Sequence, residues 1–392
     1  MSLTGSTFVW FLGIAALAMF VWSIIVWPKS AGRGWWPVTR RVLHQLGILV
    51  LVLAFFGASL NSQYGWYSDW SDLASSFSNA QPVDAVQVAG AAPSQAAAGR
   101  LDGVTPGSLV TGGRRVGTAA SLGLSAIPGP NGQYRTFQVP GPISGHSGDV
   151  TIWFPADYGS TAQLEHRFPV IEAFHGVPGS PKQLSGAFVS IGTVVAGLVA
   201  QHSMRDTVVV LPDYSPKQVD TECVNGSGTN PRMEDWLTKD VPRWVDTHVR
   251  VDQDRGSWAT LGFSAGGWCA AMASMLHPET YSAGIVLQGY FQPTFEAPYL
   301  PFAANSAEAS HYDLVRLAKQ APPRTALWIL TSKQDPVSFG TTNELLKSAK
   351  PPLSITADVL QTGGHRTSVW TPLLPKSLVW LGANVPGFAP IT

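Results

Sequence analysis

Trp258-Ala259-Thr260-Leu261-Gly262-Phe263-Ser264-Ala265-Gly266-Gly267-Trp268-Cys269-Ala270-Ala271-Met272 is the stretch on which the fold turns. It opens with a short apolar run of the kind found in a buried strand and closes with residues that start a helix. Between them stands G-x-S-x-G, a sharp turn that raises a serine hydroxyl above the end of a sheet. Positions 262 and 266 need glycine, because side chains two residues either side of a strained serine would collide with the turn. Behind Ser264 the new helix offers backbone N–H groups with no intrahelical acceptor, which favour developing negative charge. A chain with 39 glycines produces G-x-S-x-G by accident, so its position between strand and helix is what gives it meaning.

Short apolar runs separated by turns and amphipathic stretches surround this element from about residue 115 onward. Residues 134–140 and 149–154 read as an antiparallel pair across a Gly/Pro/Ser-rich turn. Residues 168–174 and 207–211 are continuous apolar runs suited to a parallel sheet. Residues 188–201 and 233–247 read as crossover helices. The strand series continues at 283–288, 326–331 and 354–360, and 373–381 reads as a closing helix. Alternation of this kind predicts a three-layer α/β sandwich.

A serine needs a histidine to take its proton and a carboxylate to fix that histidine's tautomer. The best-placed acid after Ser264 is Asp335, directly behind a buried strand, and the best-placed histidine is His365, behind the next strand after Gly363-Gly364. Parallel strands send such loops out at one edge of the sheet. Asp313, Glu344 and Asp358 are among the other acids between serine and histidine; Asp358 lies within a strand and the other two in helices. Oxyanion donors are expected from the residue after the nucleophile, Ala265, and from the loop Phe174-His175-Gly176-Val177-Pro178-Gly179. Pro178 has no N–H, which leaves Gly176 and Val177. His175 precedes Ser264 and reads as structural; no H-E-x-x-H surrounds it, and no metal or cofactor is expected. Tyr290, Phe291 and Phe295, with Pro293, Pro298 and Pro301, read as an aromatic cap that holds an acyl chain or ring.

Phe174-His175-Gly176, Leu211-Pro212-Asp213, Gly262-Phe263-Ser264-Ala265-Gly266-Gly267 and Gly363-Gly364-His365, in that order, resemble the putative esterase family of α/β-hydrolases. That family includes antigen 85 mycolyltransferases, feruloyl esterases and S-formylglutathione hydrolase. The resemblance covers roughly residues 130–383 and implies Ser264, Asp335 and His365 as the triad, with Val177 and Ala265 as oxyanion donors. Antigen 85 proteins carry Glu as the acid and Met after the nucleophile, where this sequence has Asp335 and Ala265.

The first 61 residues have another character. Residues 8–27 hold no charge and suffice to cross a hydrocarbon core of about 30 Å. Residues 42–60 form a second apolar stretch, so 1–61 reads as a transmembrane hairpin. Lys29, Arg33, Arg40 and Arg41 lie between the two, whereas residues 1–7 carry no Lys or Arg and none follows Arg41 until Arg100. By the positive-inside rule the connecting loop is cytoplasmic and everything after Leu60 lies outside. A cleaved signal peptide would call for a basic n-region and a small-x-small site, both missing. Tyr64, Trp66, Tyr67 and Trp70 suit an outer headgroup belt. Residues 74–112, rich in Ala, Ser, Gly, Gln and Pro, read as a tether within a linker over 62–114, ahead of an extracytoplasmic domain over 115–392.

Charged residues make up only 13% of the chain and the formal net charge is zero, which argues against nucleic acid as a partner. Cys223 and Cys269 fall in the region placed outside the cytoplasm, where a disulfide persists, although two buried thiols are the alternative. Together these features predict a membrane-anchored serine esterase acting on an acyl ester, with a small-molecule or cell-envelope lipid substrate. An antigen 85-like acyltransferase and a non-catalytic envelope-binding protein are the competing expectations.

Overall fold

The structure, a computed structural model, describes residues 3, 5–75, 85–90, 122–124, 131–159, 166–187, 189–216, 219–295 and 299–391. Contacts divide the chain into two compact units. One comprises Met1–Val83 with Lys333–Val337 and Gln361–Val369; the other comprises Asp84–Ser332, Ser338–Leu360 and Trp370–Thr392.

The first unit contains two long apolar helices, α1 (Ser6–Val26, 21 residues) and α2 (Trp35–Tyr64, 30 residues), each long and apolar enough to cross a membrane. They pack on each other through close contacts such as Gly13 against the Phe55 ring and a Gln45 Nε2 to Ser23 Oγ hydrogen bond of 3.4 Å. Elsewhere they expose large apolar side chains, among them Trp10, Ile14 and Leu17 on α1 and Val50, Leu53 and Phe56 on α2. A helix apolar on every side has no stable resting place in water. The second helix begins seven residues before the apolar stretch expected at 42–60, so Arg40 and Arg41 belong to its first turns rather than to the loop. Pro37 is tolerated there because the first N–H groups of a helix lack intrahelical acceptors. Beyond α2 a short helix, α3 (Trp70–Ser75), follows.

The second unit is built on a nine-stranded sheet: β1 (Ala85–Gly90), β2 (Gln133–Val139), β3 (Gly148–Phe154), β4 (Val170–Phe174), β5 (Val208–Pro212), β6 (Trp258–Phe263), β7 (Ala283–Leu287), β8 (Ala326–Ser332) and β9 (Ser354–Leu360). Their spatial order is β1-β9-β8-β7-β6-β4-β5-β3-β2. The strands from β5 to β9 run parallel, while β3 pairs antiparallel with both β5 and β2. Every residue of β4 through β8 is buried, which is why these segments read as unbroken apolar runs. From β4 the chain winds first to β5 on one side and then to β6 through β9 on the other. Right-handed crossovers therefore place the helix Ile191–Ala200 and the helix Ala265–Leu276 on opposite faces, and the closing helix Leu374–Asn384 packs beside Ile191–Ala200, completing the sandwich.

The tether expected over residues 74–112 is corrected in part. Its described portion includes β1, which pairs antiparallel with β9 from Ala85↔Leu360 to Gly90↔Ile355, so the sheet unit begins well before residue 115. Composition registers side-chain burial, whereas an edge strand is held by backbone hydrogen bonds that small residues make equally well. Residues 76–84 and 91–112 lie outside the described residues.

Candidate active site

β4 and β6 pair directly, with Phe174 opposite Gly262, and the winding direction reverses between them. Loops that follow strands at such a reversal diverge and leave a crevice above the sheet. The loop after β4 is the expected oxyanion loop, and the turn after β6 carries Ser264. Ser264 sits at φ 55° and ψ −128°, a conformation that L-residues avoid, and the helix Ala265–Leu276 starts directly behind it. A Cβ on Gly262 would lie 2.0 Å from Gly266 O, and one on Gly266 would lie 2.3 Å from both Phe174 O and His175 O. Only glycine admits that approach of backbone to backbone.

Fully buried His175 stacks on Tyr214 at 4.3 Å, and Tyr214 Oη donates to His175 O at 2.6 Å. Its Nδ1 lies 2.9 Å from Gly176 O. A carbonyl only accepts, so Nδ1 carries the proton. C=O and N–H point in opposite directions across a trans peptide, so holding Gly176 O fixes the direction of the Val177 N–H. His175, expected to be structural, thus packs on Tyr214 and orients the loop expected to supply an oxyanion donor, a link that spacing alone did not reveal. Gly176 is buried against the Phe263 ring, Val177 is half-buried, and Ala265 is buried at the first position of its helix.

In the other unit the loops after β8 and β9 bring Asp335 and His365 together. His365 Nδ1 lies 3.0 Å from Asp335 Oδ2, while the Val337 N–H donates to Asp335 Oδ1 at 2.9 Å. Asp335 is buried with its side chain 0% exposed, against 13% for that of His365, so the pair presents the imidazole and hides the carboxylate. Asp358, the alternative acid, is buried within β9 and accepts from Lys376 Nζ at 2.6 Å.

Cys223 and Cys269 form a disulfide, which fastens the loop 220–231 to the helix behind Ser264. The same helix donates from Trp268 Nε1 to Glu222 O at 2.7 Å. Glu222, which no sequence pattern marked, is fully buried beside Tyr290, whose hydroxyl donates to its Oε1. Burial, reinforced by the charge of Asp220, pushes the Glu222 carboxyl well above the usual carboxylate range. Tyr290 and Phe291, the two aromatics expected to bind substrate, are 7% exposed and fully buried respectively. Phe295 and Phe302 meet edge to face at 5.1 Å, and Ser227 Oγ donates to Pro301 O at 2.6 Å, tying this segment to the disulfide loop.

Residues 143–380 match the profile of the protein family described as "Putative esterase". The chain belongs to this family. Among curated proteins it is similar to an uncharacterized protein of Corynebacterium glutamicum, 24% identical over 249 residues, which cover 59% of this chain and 56% of that one. The chain thus spans little more than half the length of that curated relative. Among solved structures it is similar to a ferulic acid esterase, with 16% identity, a TM-score of 0.53 and coverage of 65% of this chain and 98% of the other. It is also similar to an S-formylglutathione hydrolase from Agrobacterium tumefaciens, with 16% identity, a TM-score of 0.54 and coverage of 67% and 98%. These likenesses concern the fold, an α/β-hydrolase sandwich. In this member of the esterase family two apolar helices precede it.

Proposed function

We infer that the chain is a membrane-anchored, extracytoplasmic serine esterase that hydrolyses an acyl ester, in the first instance one borne by a cell-envelope lipid. The observation that carries this reading is the Asp335–His365 pair, its carboxylate buried, on the loops after β8 and β9, in a chain whose β6 ends in the strained Ser264. With Nδ1 committed to Asp335, Nε2 is the nitrogen that takes the Ser264 proton as Oγ attacks the ester carbonyl. The Val177 and Ala265 N–H groups then receive the oxyanion. The alcohol leaves with the proton from His365, and water, activated by the same nitrogen, releases the acid and restores Ser264. A non-catalytic scaffold is the weaker reading, since a serine at positive φ costs about 1–3 kcal/mol with no return for binding alone.

The extracytoplasmic placement is supported by the Cys223–Cys269 disulfide and by the basic residues Lys29 and Arg33 between the two apolar helices, with Arg40 and Arg41 in the first turns of the second. The lipid substrate is supported by the helices themselves, which confine the enzyme to the surface where such esters reside. The test is hydrolysis of p-nitrophenyl and glycerolipid esters by the full chain in nanodiscs, with covalent labelling of Ser264 by a fluorophosphonate. Absence of both labelling and hydrolysis would remove the esterase reading. Adding sugar or glycerolipid alcohols to the assay separates hydrolysis from acyl transfer: transfer product in excess of free acid at millimolar acceptor would favour the acyltransferase.

A further inference from the structure

The segment that leaves α2 folds directly onto the two loops that carry Asp335 and His365. Asn61 fixes the exit turn, accepting from Tyr67 N at 2.7 Å and donating to Tyr67 O at 2.9 Å. Gly65, in the left-handed region at φ 63°, accepts through its carbonyl from the His365 N–H at 2.8 Å. A Cβ on Gly364 would lie 2.4 Å from Trp66 O and 2.7 Å from Gly65 O, so the two backbones touch. Asp72, in α3, takes a two-pronged contact from Arg366, with Nη1 to Oδ2 at 2.6 Å and Nη2 to Oδ1 at 2.5 Å. It also accepts from the Gly364 N–H at 3.1 Å.

The residues on either side of His365 are therefore both held by one carboxylate, while the histidine's own N–H is held by Gly65. On the acid loop Gln334, next to Asp335, accepts from Ser68 Oγ at 2.9 Å and from Gly363 N at 3.2 Å, and donates to Asp69 Oδ2 at 2.9 Å. The Asp72 side chain is 4% exposed and that of Arg366 15%. Burial raises the Asp72 carboxyl, but the hydrogen bonds from Arg366 and Ser68 together with the Arg366 charge outweigh it, and the net position is below the usual carboxylate range. A fork-shaped guanidinium on a carboxylate fixes direction as well as distance.

From this clasp we propose that Asp72 is a positioning residue of the active site: it holds Arg366 and Gly364 so that the His365 imidazole meets Asp335 in the productive orientation. The membrane-exit segment 65–72 is thereby part of the catalytic machinery rather than a spacer. The proposal rests on the esterase reading for its kinetic consequence and on geometry alone for its effect on the Asp335–His365 bond.

The experiment uses the full chain, histidine-labelled with ¹⁵N, in nanodiscs. Asp72→Asn is expected to lower kcat on a water-soluble ester by about 10²-fold with KM nearly unchanged, because a misplaced catalytic group costs rate rather than binding. The low-field Nδ1 proton that His365 shares with Asp335 should disappear with it. Asp72→Glu should recover part of both. Arg366→Lys, which keeps the charge and removes the fork, should fall between the wild type and Asp72→Asn, and it decides the matter if Asp72→Asn does not fold. Wild-type kcat together with an intact Nδ1 signal in Asp72→Asn would overturn the proposal, as would lost activity with that signal retained. If the wild-type chain hydrolyses no ester, the functional reading falls and the Nδ1 signal alone decides the positioning role.

Discussion

Ser264, Asp335 and His365 each stand in the first few residues after a parallel strand, where side chains of a few atoms reach the edge of the sheet. Ser264→Ala is expected to remove nearly all esterase activity, and Asp335→Asn and His365→Ala each to lower kcat by about three to four orders of magnitude. Steady-state hydrolysis of a p-nitrophenyl ester measures this; near-normal turnover in Asp335→Asn would move the search to another acid. Asp358 is a poor substitute because Lys376 already occupies it. These three positions were legible in the sequence because each follows a recognisable apolar run and the chain order of serine, acid and histidine is fixed. Asp72, Gln334 and Arg366 were not, since their partners lie some 265 to 294 residues away and no periodicity links them. The aromatic cluster around Tyr290 and Phe291 is less legible for a related reason: such a cluster reads alike whether it lines a cavity or packs beneath one.

β4 contains the one charged residue within the buried strands β4 to β8, Glu172, whose Oε2 accepts from Tyr281 Oη at 2.6 Å. Burial raises its carboxyl from 4.5 to about 8. Its folded-state value exceeds its unfolded value, so its contribution to stability is fully present below pH 4.5 and is lost as pH rises through about 8. Glu172→Gln should abolish this component, which amounts to at most about 1.4 kcal/mol per pH unit across that window. Urea unfolding of the two proteins at several pH values measures it, and parallel pH profiles would refute it. The Cys223–Cys269 crosslink, with a sequence separation of 46, should contribute about 3–4 kcal/mol in the loop-entropy description. The double Cys→Ser variant is expected to lose that amount in the same assay; an unchanged midpoint would show the loop held by other contacts. Parallel strands were readable as apolar runs, whereas β1 was hidden because small residues give an edge strand no hydrophobic signature.

With the basic loop read as cytoplasmic, a probe at position 34 should label only after permeabilisation and one at position 90 from outside intact cells. Labelling of position 34 from outside would invert the topology. A chain beginning at residue 84 lacks Gly65, Ser68 and Asp72 and should retain the sheet while losing most of its turnover, as comparison of far-ultraviolet circular dichroism with hydrolysis would show; full turnover would return residues 62–83 to the status of a spacer. The contrast between the two hairpin helices has its own consequence. At 30 residues α2 is about 45 Å long, well beyond a hydrocarbon core of about 30 Å, and its last turn leads into the residue whose carbonyl holds His365. An enzyme built this way meets a lipid ester by lateral diffusion, so its rate should obey surface dilution: diluting the ester with inert phospholipid should slow hydrolysis at constant bulk concentration, whereas adding more vesicles of the same composition should leave the rate per enzyme unchanged.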